Sequence, residues 1–83
     1  MVFPIYKEYL DQKSYFQILS PDEFLELKIT GKTFTLHRIK AKILPERVMI
    51  QDMLEKEEFW VTCTENEFTE KLEFCRLNLK ELP

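Results

Sequence analysis

One glycine, Gly31, stands among 83 residues, so the sharpest reversal of the chain is expected there. Before it, Leu25, Leu27 and Ile29 alternate with Glu26 and Lys28. After it, Phe34 and Leu36 alternate with Thr35 and His37. With Gly31-Lys32 as a two-residue type II′ turn, Ile29 falls opposite Phe34 and Leu27 opposite Leu36, all on one face. The register demanded by the turn agrees with the register demanded by the apolar pattern. An antiparallel hairpin is therefore the anchor of the fold.

The second strand of that hairpin changes phase. Phe34 and Leu36 lie on one parity, Ile39, Ala41 and Ile43 on the other. This predicts a bulge near His37-Arg38, or else a strand covered on both faces near its end. Upstream, Tyr15-Phe16-Gln17-Ile18-Leu19 reads as a strand. Ser20-Pro21-Asp22-Glu23 suits either a type I turn or a capped helix start; the alternation that follows favours turn then strand over residues 21–29. The same lettering recurs 44 residues on. Tyr15-Phe16, then Ser20-x-x-Glu23-Phe24, is echoed by Phe59-Trp60, then Thr64-x-x-Glu67-Phe68. In the second copy the reading is helix: Thr64 caps, Glu67 closes a capping box, and Phe68, Leu72, Cys75 and Leu79 follow at helical spacing. Residues 59–63 before it read as a strand.

Residues 45–57 place Met49, Ile50, Met53 and Leu54 opposite Gln51, Asp52 and Glu55, a helical stripe. A short strand starting at Val48 and Ile50 is the alternative. Near the start, the Ile5–Tyr9 and Tyr6–Leu10 spacings suggest one or two helical turns. The expected fold is a small α+β domain over residues 1–83. It is an antiparallel meander of three or four strands, with a C-terminal amphipathic helix packed on one face.

Composition supports a single compact unit, 45% hydrophobic and 33% charged. Seven Phe, three Tyr and one Trp enlarge what is otherwise a small core. A monomer of this size is expected to be stable by only a few kcal/mol, and self-association would add to that. No apolar run reaches the length of about 18 residues that spans a membrane. The opening Met1-Val2-Phe3-Pro4-Ile5-Tyr6 has no basic head, unlike a secretory signal. Cys63 and Cys75 are too far apart for a CxxC pair; a single bridge is one option, but two reduced, half-buried thiols in a cytoplasmic protein are expected.

Charge is unevenly spread. Net charge is −3, yet residues 28–47 carry six bases against Glu46 alone, and residues 48–83 carry nine acids against four bases. Arg38, Lys40 and Lys42 share one parity and form a candidate basic face. Aliphatic residues separate them, with no aromatics to stack on bases, and an edge strand guarded by lysines has the same pattern. Nucleic acid is the less favoured partner, and a nucleic-acid-associated protein using the basic strand around residues 38–42 is the alternative function.

Gly31-Lys32-Thr33 resembles the end of a P-loop without its glycine-spaced loop or its helix. His37 is the only histidine, with Arg38 beside it and no serine nearby in sequence. The acids from Glu55 to Glu73 share no face and form no Asp-rich loop. No catalytic set, cofactor or metal is assigned. On the C-terminal helix, however, Phe74 and Leu77 lie away from the apolar seam. Either the helix is wrapped on two sides and they join the core, or they form a candidate partner surface, with Met49 and Met53 as further members. The expected function is a non-catalytic protein-interaction or regulatory module, a homodimer being one form of it.

Overall fold

The computed structural model describes residues 2–83. Eight elements follow one another: β1 (Ile5–Tyr9), β2 (Ser14–Ser20), β3 (Glu23–Thr30), β4 (Thr33–Lys40), α1 (Leu44–Glu55), β5 (Trp60–Cys63), α2 (Glu65–Asn78) and β6 (Lys80–Glu81). The fold is α+β with one sheet, in the order β5-β1-β2-β3-β4-β6, antiparallel except where β6 runs parallel to β4.

The Gly31 hairpin forms as the turn demands. Ile29 pairs with Phe34, Leu27 with Leu36 and Thr30 with Thr33. Gly31 has φ +61° and Lys32 stays outside the left-handed region, the type II′ arrangement. A second left-handed residue, Gln12 at φ 58°, sits in the β1–β2 connection, where no glycine announces it. Residues 21 and 22 form a turn, with Ser20 Oγ donating to the Asp22 carboxylate at 2.6 Å, and β3 resumes at Glu23.

The sheet has six strands rather than three or four, for two reasons. Residues 5–9 are a strand and not helical turns, because residues four apart share a side in both structures. What decides the matter is pairing with β2 on one side and with β5, some 55 residues away, on the other. A two-residue β6 then closes part of the β4 edge, Leu82 N–H donating to the Phe34 carbonyl at 2.8 Å.

The expected bulge in β4 is absent, since β3–β4 pairing runs unbroken from Thr30–Thr33 to Glu23–Lys40. The register shift lies at Leu19 in β2 instead. The parity change in β4 has the other explanation: the sheet is covered on both faces. Tyr6, Tyr15, Leu27 and Phe34 pack with Phe68, Leu72 and Cys75 of α2 and with Leu79 just beyond its end. Phe16, Ile18, Phe24, Ile39 and Ala41 pack with Met49, Ile50 and Met53 of α1. Adjacent strand residues point to opposite faces, so Tyr15 and Phe16 belong to different cores.

The helix over residues 44–55 confirms the helical reading of that segment. It begins without a side-chain cap at Ile43 and has Pro45 in its first turn. In α2 the capping box forms in full. Thr64 Oγ1 accepts from the Glu67 N–H at 3.1 Å, and the Glu67 carboxylate accepts from the Thr64 N–H at 3.2 Å.

Candidate functional site

Helix α2 presents its seam to the sheet because Phe68, Leu72, Cys75 and Leu79 recur at its period. That orientation leaves Phe74 49% and Leu77 84% exposed. One turn apart, they are neighbours on the solvent side of the helix. Met49 and Met53 do not join them. Met53 is fully buried and Met49 partly so, both against the α1 face of the sheet, on the far side from Phe74. The stripe that holds these methionines is the one α1 buries, so its flexible thioethers fill core space rather than line a contact.

The outward side of α1, with its N-cap residue, carries an apolar stretch that the methionine stripe does not announce. Ile43, Leu44 and Val48 are 59%, 73% and 46% exposed. The four-residue step from Leu44 to Val48 was the available signal.

Of the basic set, Arg38 donates from Nε to the Glu23 carboxylate at 2.6 Å, an exposed ion pair. The Arg38 hydrogen bond holds the Glu23 carboxyl below its ordinary value. Lys40 and Lys42 are exposed, and neither forms a salt bridge among the described residues. His37 is exposed too, directly across the sheet from Glu26.

Two clefts flank the helices. The larger, about 610 Å³, lies between the Pro21-Asp22 turn and α1, against Arg47, Gln51 and Leu54. Its polar groups are engaged within the chain. Arg47 Nε donates to the Ala41 carbonyl, Gln51 to Glu55, and Asp22 accepts from Ser20. The smaller, about 310 Å³, lies between α2 and the β1–β2 ladder. It is lined by Glu8, Tyr15, Glu67, Glu70, Lys71 and Phe74. Here Glu8 and Glu70 form no ion pair among the described residues. This cleft adjoins the exposed Phe74 and was not legible in the sequence, because Glu8 and Tyr15 reach it only through strand pairing.

Both thiols are free and buried in the α2 core. Burial, with Glu8 and Glu67 adding to it, pushes the Cys63 thiol up to about 11, and burial raises that of Cys75. Neither is a thiolate at neutral pH, which makes both poor nucleophiles. On the α1 face Lys7 is buried, its ammonium donating to Thr62 Oγ1 at 2.8 Å. Among the described residues no three His, Cys, Asp or Glu side chains gather as a metal site would require, and no helix is long and apolar enough to cross a membrane. In comparisons with known proteins the chain matches no family model, no curated protein and no solved structure.

Proposed function

We propose that this chain is a non-catalytic protein-interaction module whose contact surface is the solvent side of α2. The observation that carries this reading is the exposure of Phe74 and Leu77 on a helix whose buried seam is already complete without them. Burying an exposed leucine or phenylalanine side chain contributes about 1.5–3 kcal/mol, enough for two such residues to anchor a modest interface. A second copy of the chain is the first occupant to test. A domain this small gains from an added interface, and a two-fold contact would pair Phe74 and Leu77 with themselves.

Sedimentation velocity over a range of concentrations is the test. Self-association that strengthens with salt and is abolished by Leu77→Glu supports the reading; association that Leu77→Glu and Phe74→Glu both leave unchanged overturns it. Polyanion binding by the basic strand is the weaker alternative, because the Glu23 bridge takes up Arg38 and leaves Lys40 and Lys42. Such binding would fall steeply with salt, the opposite trend.

A further inference from the structure

The smaller cleft combines two features that point to one ligand chemistry. Glu67, Glu70, Lys71 and Phe74 are spaced three, four and seven apart, so they share one side of α2. Opposite them, Glu8 and Tyr15 are direct cross-strand partners of β1 and β2. The cleft thus holds three carboxylates against one ammonium, between two aromatic rings. The Lys71 ammonium lies 5.8 Å from the centre of the Tyr15 ring and 5.2 Å from that of Phe74. Both distances fall within cation–π reach, so the ring pair already accommodates an organic cation. Burial first and the neighbouring Glu8 carboxylate second raise the Tyr15 hydroxyl above its ordinary value.

Glu67 is committed to the helix cap, whereas Glu8 and Glu70 have no ion pair among the described residues. A divalent cation would need several oxygens converging at about 2.3–2.6 Å, and no such cluster forms among the described residues. Phosphates are repelled by the same carboxylates. A cationic side chain fits both the charge and the rings.

We propose that this cleft seats a lysine or arginine side chain from an extended basic segment of a partner protein, paired with Glu8 and Glu70 and stacked on Phe74. The neighbouring Leu77 would take an apolar residue of the same segment. The proposal rests on the reading of α2 as a contact surface and names the chemistry of what it contacts.

An end-capped hexalysine peptide, titrated into the isotopically labelled full chain and followed by amide NMR shifts, tests it, with sodium chloride at matched ionic strength as control. Shifts should centre on Glu8, Tyr15, Glu70 and Phe74. The double variant Glu8→Gln with Glu70→Gln should weaken binding roughly three- to tenfold. Phe74→Leu, which keeps the charge, should weaken it about two- to fivefold. Lys71→Met, which removes the resident ammonium, should tighten it about two- to fivefold. All of these sites are partly or fully exposed, and a melting curve for each variant checks that it folds.

Shifts centred on Glu55, Glu57 and Glu58, or variants that all bind like the parent, would overturn the proposal while leaving the α2 contact reading intact. If Lys40→Glu with Lys42→Glu abolishes a peptide-free self-association that maps to this cleft, the occupant is a second copy and the proposal falls. Conversely, peptide docking at the cleft in a chain whose self-association ignores both Leu77→Glu and Phe74→Glu sustains the proposal and takes the self-association off α2.

Discussion

Two stretches share one lettering and fold differently. Ser20-Pro21-Asp22-Glu23-Phe24 is a tight turn opening a strand, and Thr64-Glu65-Asn66-Glu67-Phe68 is a capped helix start. In both, the phenylalanine is buried, Phe24 against α1 and Phe68 beneath α2, on opposite faces of the sheet. The capping lettering is therefore permissive. Leu25, Leu27 and Ile29 continue with a period of two, which only a strand can bury on one side. Leu72, Cys75 and Leu79 continue with a period near 3.6. Thr64 and Glu67 exchange their hydrogen bonds, whereas Ser20 turns to Asp22 and Glu23 to Arg38. The apolar rhythm downstream decides which hydrogen bonds the polar letters make.

The largest test of this comparison is removal of either phenylalanine. Phe24→Ala and Phe68→Ala should each cost about 3–5 kcal/mol by urea denaturation, since each empties a core on its own face. A loss under about 1 kcal/mol at either would mean that one face is not a true core. The caps should differ more than the cores. Thr64→Ala should cost about 1 kcal/mol, against roughly 0.5 kcal/mol or less for Ser20→Ala, whose hydroxyl bonds only the carboxylate and, at 3.3 Å, the N–H of the exposed Asp22. Equal costs would break the contrast. Pro21→Glu makes the first copy more like the second, yet the alternation should keep it a strand. Circular dichroism should show no added helix, with a loss of about 0.4–1 kcal/mol from the freed turn.

The two copies should also respond at opposite ends of the pH scale. Glu23 has its folded pKa lowered by Arg38. Its small contribution is present above the ordinary carboxylate value near 4.5 and is lost as pH falls through the lowered value. Glu23→Gln should remove that part of the acid sensitivity, read as the denaturation midpoint against pH. Cys63, immediately before the helix copy, has its folded pKa raised from 9.0 to about 11. The folded chain then holds a proton that the unfolded chain releases, so stability is full below pH 9 and declines as pH rises toward 11. Cys63→Ala should make that alkaline decline shallower.

Much of the candidate site was legible in part only. Phe74 and Leu77 stood out because a helix seam of known period leaves identifiable residues off it. Glu8 and Tyr15 could not be attached to them, since their place beside α2 depends on which strands become neighbours. Met49 and Met53 were assigned to the wrong side because a helical stripe says that it will be buried, not against which face. The basic parity of Arg38, Lys40 and Lys42 was plain, but the bridge from Arg38 to Glu23 depends on the β3–β4 pairing that brings them together.

Local chemistry alone determined the Gly31 reversal, the hairpin register around it, the capping box at Thr64 and the inward side of α2. Each depends on residues a few positions apart, where turn geometry and side-chain period act together. Tertiary structure decided that residues 5–9 are a strand, that β5 lies beside β1, and that the two helices cover opposite faces. Those outcomes depend on hydrogen bonds and burial between segments tens of residues apart, and a period-two strand cannot announce how many of its faces will be covered.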